Sequence, residues 1–344
     1  MSAGWSDSRA PSSKAVRAAN ADAIEGRTST SGVELWQAPV RMGWLRFLWL
    51  VVPMLGLAEL GGYFFFSRRA PRIEAWHQIV QPVAEVREPD MPVVVAPYWA
   101  EPLARSALGS AVMPLRDVAR PDVTGYTRAL EVSILGQDAS ELSGWSTVKE
   151  RDVGDFRLRV RQNPTPAKIR FDFVAGLDPK RVSVLDGQGS ECGWTVHART
   201  VTGGLHGHIA FPRERFSCPG GPQHFVGATV VDDENYRPHR CIWAHPSDVG
   251  ALSIRYRAVP LGRVVRGYGA LSWFLMRDGV GTPIEMSIVI DGERIGEFVH
   301  SDEQGWHAFE FSTGSRAGKT ADVTFEIRSE SPKDRHFCFY ADTR

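Results

Sequence analysis

Short segments in which apolar and polar residues alternate follow one another from about residue 156 to the end of the chain, at intervals of roughly 8 to 15 residues. They include FRLRV, RVSVL, FVGATVV, LSIRYRAV and ADVTFEI. A period of two is typical of strands with one buried face, and a long succession of short strands is typical of a sandwich or barrel. The 33 glycines, 22 prolines and 11 tryptophans suit such a turn-rich chain. The sequence therefore predicts a mainly β protein with a jelly-roll-like sandwich.

We divide this β region at about residue 235. Residues 236–344 are predicted to form a β-sandwich, and residues 151–235 form either a preceding β lobe or the first strands of the same sandwich. Within the sandwich, IEMSIVI and ERIGEFV flank the dipeptide Asp291-Gly292. A type I′ turn needs positive φ at both central residues, which this dipeptide adopts readily, so the pair predicts a β-hairpin.

Residues 67–150 show a different order of elements. A helical pattern over residues 73–86 precedes the β-branched run MPVVVAP. A second helix, predicted from Glu101 to Gly109, precedes the strand-like segment ALEVSILG. This alternation predicts a small α/β segment, which is too short to be a whole doubly wound domain.

The run FLWLVVPMLGLAELGGYFFF, residues 47–66, contains a single ionisable group, Glu59. About 20 apolar residues are needed to cross a bilayer, so this run predicts one transmembrane helix that acts as an uncleaved signal anchor. Trp49 and Tyr63 lie toward its ends, where amphipathic rings favour the headgroup region. Glu59 indicates either a contact with another membrane protein or a carboxylic acid kept neutral by its surroundings.

Residues 1–46 are rich in Ser, Ala and charged residues, which predicts a disordered tail. Arginines flank the apolar run on both sides, so the positive-inside rule does not decide the orientation. The four cysteines, Cys192, Cys218, Cys241 and Cys338, all follow the run, and an even number is typical of disulfides in an oxidising compartment. We therefore expect a cytoplasmic tail and an extracytoplasmic C-terminal part at the inner (cytoplasmic) membrane.

The charge balance excludes one class of partner. The chain has 40 basic and 40 acidic residues, a formal net charge of zero and a pI near 7.2. Binding to a phosphate backbone requires a concentration of positive charge. The sequence therefore predicts no nucleic-acid partner.

A histidine precedes a cysteine by two positions at His239 and Cys241, and again at His336 and Cys338. Residues two apart in a strand point to the same face, so neighbouring strands would bring all four side chains together. For an exported chain this favours a disulfide between Cys241 and Cys338, with a zinc or copper site as the alternative. The remaining two cysteines then pair with each other, although the other connectivities stay open.

Motifs for catalysis are weak in this sequence. No G-x-S-x-G nucleophile elbow occurs, and GRVVRGYG at residues 262–269 lacks the Lys and the Ser or Thr of a phosphate loop, so we interpret its glycines as turns. The acidic groups at residues 232–234 and 302–303 suit a hydrolase pair, a calcium site or solvated loops. His206 and His208 are interpreted as surface residues without a role. We predict no metal and no cofactor.

Aromatic residues near turns suit a different function, because flat rings stack on the apolar faces of sugars. Trp243 beside His245, with Tyr236 and Arg240 before it, makes the best single patch in the sequence. The predicted ligand-binding residues are Trp243, His245, Arg240, Tyr236 and Trp306. Tyr268 and Trp273 are further aromatic candidates.

Two resemblances bear on function. Residues 74–99, which contain AWHQIVQPVAEVREPDMPVVVAPYW, resemble the short α/β segment after the last span of polytopic glycosyltransferases that use lipid-linked sugars. The stretch from LSWFLMRDGV to ADVTFEI is similar to galactose-binding-like β-sandwiches in its order of strands and its GW-x-x-F strand. The single predicted span and the missing acidic residue on a first extracytoplasmic loop depart from the glycosyltransferase pattern, so that activity is not carried over.

These observations predict a membrane-anchored, extracytoplasmic β-sandwich that acts as a non-catalytic carbohydrate-binding or scaffold module of the cell envelope. The alternative is an enzyme or accessory subunit of envelope glycan metabolism, and the residues favour the binding module. The expected partners are the lipid bilayer, an envelope glycan and, through the transmembrane helix, another membrane protein.

Overall fold

The computed structural model of the protein describes residues 48–67, 70–198, 211–247, 249–272, 281–302, 304–333 and 335–344. By its internal contacts the chain divides into two compact units, residues 1–62 and 63–344. The tail predicted at residues 1–46 lies outside the described residues.

Helix α1 covers Leu48–Ser67 and contains Pro53. Its large apolar side chains are mostly exposed, including those of Trp49, Leu55 and Phe65. Among the described residues, no helix combines the length and the apolar character that a membrane crossing needs. The transmembrane helix expected at residues 47–66 stays a prediction.

An α/β layer follows α1, as the sequence predicts. Its helices and first strands are α2 (Ile73–Gln78), α3 (Val80–Val86), β1 (Val93–Ala96), α4 (Glu101–Leu108), α5 (Leu115–Val118) and β2 (Arg128–Ile134). β1 runs parallel to β2, with Val93 opposite Leu130, and α4 lies between them in sequence. The predicted helix that begins at Glu101 is confirmed, and Gly109 ends it with a φ of 73° that suits glycine.

The α/β layer is longer than expected. A hairpin of β3 (Ser146–Val153) and β4 (Phe156–Gln162) adds to its sheet in the order β1-β2-β4-β3. Phe156 packs edge-to-face on Trp76 at 4.7 Å between ring centroids, in one core with β1 and β2. The boundary predicted at residue 150 is therefore wrong, because an alternating strand can join either of two sheets and its pattern does not say which.

The rest of the chain is a β-sandwich, which confirms the predicted class. Its strands are β5 (Phe171–Asp172), β6 (Val182–Leu185), β7 (Gly193–Thr195), β8 (Arg215–Ser217), β9 (Phe225–Asp232), β10 (Pro238–Ala244), β11 (Leu252–Pro260), β12 (Val264–Leu271), β13 (Ile284–Ile290), β14 (Glu293–His300), β15 (His307–Ser312), β16 (Thr320–Arg328) and β17 (Phe337–Thr343). Among the described residues, the larger sheet has the order β15-β12-β17-β10-β9-β8-β7, with β5 also paired to β17, and the smaller sheet has the order β14-β13-β16-β11-β6.

This topology decides between the two arrangements left open for the β region before residue 235. β5 and β7–β9 share the larger sheet with β10, β12, β15 and β17, and β6 pairs with β11 in the smaller sheet. The strands of residues 171–232 are therefore the first strands of the same sandwich and not a separate lobe. One apolar core between the sheets contains side chains from both parts, for example Phe173 against Phe325 at 4.9 Å between ring centroids.

Three local predictions are confirmed. β13 and β14 form an antiparallel hairpin, and Asp291 and Gly292 in its turn have φ values of 48° and 83°. The two disulfides are Cys192–Cys218 and Cys241–Cys338, and the second joins the neighbouring strands β10 and β17.

Two of the three glycines of GRVVRGYG are not turn residues, which corrects our interpretation, whereas Gly262 lies in the connection between β11 and β12. Gly267 and Gly269 lie inside β12. A Cβ at Gly267 would lie 2.1 Å from the carbonyl oxygen of Tyr340, and one at Gly262 would lie 1.8 Å from that of Arg344. Glycine is needed at these positions because backbone or ring atoms approach closely.

Candidate functional site

A cleft of about 490 Å³ lies where the α/β layer meets the larger sheet of the sandwich. The cleft is lined by segments from both parts, among them residues Glu141, Arg237, His239, Tyr268, Gln304 and Trp306. Its volume falls within the range of about 300–1,000 Å³ that is typical of ligand sites. We call it the interlayer cleft.

Three nearly parallel rings form one wall of the interlayer cleft. His239 on β10 stacks on Trp306 with 4.4 Å between ring centroids and 17° between planes. Tyr268 on β12 lies parallel to Trp306 at 6.2 Å and 5°. Strands β10 and β12 are separated in the sheet only by β17, which explains how residues far apart in sequence align. This aromatic row places three rings from separate segments in one wall of the cleft.

The His239 ring is held by a carboxylate. Its Nε2 lies 2.9 Å from Oδ2 of Asp233, and Oδ1 of Asp233 accepts hydrogen bonds from the backbone N–H groups of Asn235 and Arg237. Burial alone would raise the pKa of Asp233, but the hydrogen bonds from His239 and the backbone hold it below its ordinary value. The turn between β9 and β10 therefore fixes the base of the aromatic row.

Two polar atoms in this stacked pair lack a hydrogen-bond partner among the described residues. Nδ1 of His239 and Nε1 of Trp306 are buried and make no hydrogen bond within the described part of the chain. Buried polar groups without partners are uncommon in native proteins and call for an explanation. Both atoms belong to the same wall of the interlayer cleft.

Paired charges also line the interlayer cleft, from the α/β layer and from the turn before β10. Glu141 accepts hydrogen bonds from Arg120 at 3.0 Å and from Arg237 at 2.9 Å. Arg120 also donates to the carbonyl oxygen of Asp117 at 2.7 Å. Burial alone would raise the pKa of Glu141, but the two guanidinium groups hold it below its ordinary value. Glu141 is therefore a carboxylate at neutral pH.

Asp122 links the α/β layer to the aromatic row. It accepts a hydrogen bond from the Tyr268 hydroxyl at 3.1 Å and one from Arg344 at 3.1 Å. Arg266 donates to the same Tyr268 hydroxyl at 3.0 Å. Burial alone would raise the pKa of Asp122, but Arg344 and Thr124 hold it below its ordinary value. The network fixes the Tyr268 ring at the end of the aromatic row.

The structure corrects the main residue of the predicted patch. Trp243 is fully buried, and its indole N–H donates to the carbonyl oxygen of Gln223 at 2.9 Å. It packs with Phe225 and the Cys241–Cys338 disulfide on the outer face of the larger sheet. Its ring has no free face for a sugar, because this small apolar cluster covers it.

The other predicted residues do not form one patch. His245 is buried, stacks on His224 at 4.9 Å and lines a separate cavity of about 130 Å³. Arg240 lines a pocket of about 330 Å³ on the other side of residues 120–122, and Tyr236 is exposed beside Arg237. Only Trp306 of the five predicted residues lines the interlayer cleft.

Several residues singled out in the sequence cannot be placed. Trp273, Glu303, His206 and His208 lie outside the described residues. Within the described residues, no group of three or more His, Cys, Asp or Glu side chains is arranged to hold a metal ion.

The two acidic loops meet different partners. Asp233 bonds His239, whereas Asp302 forms an ion pair with Arg335 at 2.5 Å. They therefore do not form one convergent carboxylate pair.

Sequence reasoning missed Glu141, Arg120 and Asp122. They lie in connecting segments of the α/β layer, which pattern analysis treats as solvated loops. Arg120 is buried and Asp122 is half-buried, although their surroundings in the sequence look like an ordinary loop. Their burial, and their partners in the turn before β10 and on β12, could not be found from spacing.

No family model matches the sequence, and no curated protein sequence matches it. Among solved structures, the chain matches carbohydrate-binding modules at TM-scores below 0.3. The CBM51 module of Clostridium perfringens GH95, solved with methyl-galactose, is 12% identical with a TM-score of 0.26, and the match covers 34% of this chain and 81% of that chain.

Two more solved structures are similar at the same level. The CBM51-2 and INT domains of Clostridium perfringens ZmpB, solved with GlcNAc, are 13% identical with a TM-score of 0.27, over 60% of this chain and 45% of that one. The tandem CBM51 modules of Sp3GH98 from Streptococcus pneumoniae are 12% identical with a TM-score of 0.26, over 56% of each chain. These likenesses concern the sandwich fold and assign no site, and the glycosyltransferase resemblance of residues 74–99 is not shown.

Proposed function

We propose that the protein binds a neutral carbohydrate in the interlayer cleft and does not chemically change it. The observation that carries this proposal is the parallel row of Tyr268, Trp306 and His239 in the same cleft as the paired charges of Glu141 and Arg237. Aromatic rings supply flat apolar area, and a few fixed polar groups then orient a ligand by its hydroxyl groups. A sugar presents both kinds of surface.

Charge pairing favours a neutral ligand. Arg120 and Arg237 both pair with Glu141, and Arg266 lies 3.8 Å from Asp122. A charged ligand would have to displace one of these partners, and leaving a partly buried charge unpaired is costly. Hydroxyl groups can instead donate to the carboxylates and accept from the guanidinium groups without breaking a pair.

The same hydrogen bonds argue against the enzymatic alternative. A general base needs an atom within reach of a substrate proton. Asp233 uses both of its oxygens for His239 and the backbone, and Nδ1 of His239 is buried. In this arrangement the Asp233–His239 pair positions Trp306 and does not transfer protons to a ligand.

We further propose that residues 47–66 anchor the chain in the inner membrane and that residues 67–344 lie on the extracytoplasmic side. The apolar sequence and exposed side chains of α1 support the anchor, and the two disulfides support an oxidising compartment. Protease added to spheroplasts should digest the β-sandwich and spare residues 1–46. Digestion of the tail alone would reverse the orientation.

The test of the binding proposal is a glycan array probed with the purified full-length chain, and with Trp306→Ala and Trp194→Ala. Trp194 is the matched control, because it is also partly buried and packs edge-to-face on Phe216 of β8, in the same sheet, with 4.8 Å between ring centroids. We expect neutral glycans to be retained by the unchanged chain and by Trp194→Ala. Trp306→Ala should lose retention while its thermal midpoint falls by only a few degrees.

Two results contradict the proposal. Either the unchanged chain retains no glycan, or Trp306→Ala retains glycans as well as the unchanged chain does. Retention of uronic acids in preference to neutral sugars would refute the argument from charge pairing.

A further inference from the structure

Two exposed aromatic side chains lie next to Arg237, a residue that lines the interlayer cleft: Tyr98 contacts its guanidinium group, and Tyr236 precedes it in the chain. Among the described residues after α1, the strongly exposed aromatic side chains are Tyr98 (51%), Trp99 (49%) and Tyr236 (67%). Most other large aromatic side chains of the sandwich and the α/β layer are buried or half-buried. Single exposed apolar residues are ordinary, but a cluster of them indicates a contact surface.

Arg237 connects this cluster to the cleft. Its guanidinium carbon lies 5.8 Å from the centroid of the Tyr98 ring, within the range of a cation–π contact. The same guanidinium donates to Glu141, which lines the cleft, at 2.9 Å. Tyr236 precedes Arg237 directly and has a positive φ of 59°, a strained conformation for a bulky residue. Arg237 therefore connects Tyr98 to Glu141 in the wall of the interlayer cleft.

We infer that the ligand of the cleft is a chain of two or more sugar units, with one unit against the Trp306 row and a further unit on Tyr98. This inference rests on the proposed function. Tyr98 contacts Arg237, which pairs with Glu141 in the same cleft as Trp306. Two aromatic positions connected by one Arg–Glu pair offer similar contacts twice, which suits a repeating polymer. A single sugar in the cleft would leave Tyr98 and Tyr236 in contact with water.

The experiment compares chain length. The full-length protein is titrated with chito-oligosaccharides, cello-oligosaccharides and galacto-oligosaccharides, each from one to six units. For the series that binds, we expect oligomers to bind about tenfold more tightly than the single sugar, because contact with a second ring adds binding free energy. Tyr98→Ala should remove this gain and leave the affinity for the single sugar unchanged.

Three further variants separate the explanations. Tyr98→Phe keeps the ring and should keep the gain with chain length. Leu185→Ala, which removes an exposed apolar side chain from the smaller sheet, should change neither affinity. Trp306→Ala should weaken the binding of single sugars and oligomers alike.

The failures are distinguishable. If oligomers bind no more tightly than the single sugar, or if Tyr98→Ala keeps the full gain, this inference is overturned while Trp306-dependent binding stands; the exposed aromatic cluster then serves another partner. If none of the three series binds and the glycan array is also empty, the proposed function itself fails.

Discussion

The two faces of the larger sheet use burial in different ways, and strand β17 shows both. On the inner face, Phe337 and Phe339 are fully buried in the apolar core between the sheets. On the outer face, Cys338 and Asp342 are equally buried, but Cys338 forms a disulfide and Asp342 accepts two hydrogen bonds from Arg344 at 2.7 Å. Alternate residues of one strand therefore meet entirely different environments.

The two faces of the sheet are stabilised by different interactions. The inner face is stabilised by close packing of apolar side chains. Apolar side chains of similar volume can replace one another there, whereas a buried charge is costly. The outer face is stabilised by a covalent bond and by paired polar groups, each of which needs a particular partner. The interlayer cleft lies on the outer face, where His239 and Tyr268 present side chains fixed by hydrogen bonds.

The largest expected effect is on the outer face. Replacing Cys241 and Cys338 together by Ala should lower the free energy of unfolding by about 4 to 5 kcal/mol, because the bond closes a long loop, with a sequence separation of 97. The same change at Cys192 and Cys218, with a separation of 26, should cost about 3 kcal/mol. Urea denaturation under non-reducing conditions measures both. Equal losses would show that loop length does not determine the difference.

A smaller effect tests the exclusion of charge from the inner side. Burial, with His307 nearby, lowers the pKa of His300 from 6.5 to about 4, and its ring nitrogens have no partner in the described part of the chain. Between these pKa values only the unfolded state binds the proton, so the free energy of unfolding falls as the pH drops from 6.5 toward 4. The loss should reach about 3 kcal/mol near pH 4.

The matched variants are His300→Phe and His307→Gln, since His307 is exposed. Denaturation at pH 7, 5.5 and 4 measures the fall in the free energy of unfolding with pH. This fall should be smaller in His300→Phe and should remain in His307→Gln. An unchanged acid loss in His300→Phe would refute the assignment to His300.

The smallest effects compare a partly buried ion pair with an exposed one. Glu141→Gln leaves Arg120, whose side chain is only 4% exposed, without its carboxylate, and should cost about 2 kcal/mol. Arg255→Gln removes the exposed pair with Asp322 and should cost less than about 1 kcal/mol. Thermal unfolding of the two variants beside the unchanged chain checks this order. A larger loss for Arg255→Gln would contradict the importance of burial.

Local features were predictable from the sequence because they depend on neighbours in the chain. The alternation of residues predicted the sandwich class, Asp291-Gly292 predicted the hairpin, and the even number of cysteines on strand-like segments predicted both disulfides. Each of these follows from backbone geometry within a few residues or from simple pairing chemistry.

The site depended on tertiary structure. Alternation shows that residues two apart share a face, but it does not show what covers that face. Trp243 and Trp306 are both aromatic residues near turns in the sequence. An apolar cluster nevertheless buries Trp243, whereas Trp306 lines the cleft. Glu141 pairs with Arg237 only because the α/β layer packs on the turn before β10, and 96 residues of chain separate the two side chains. Such contacts arise from how layers pack, and the spacing of residues along one strand carries no information about the layer that meets it.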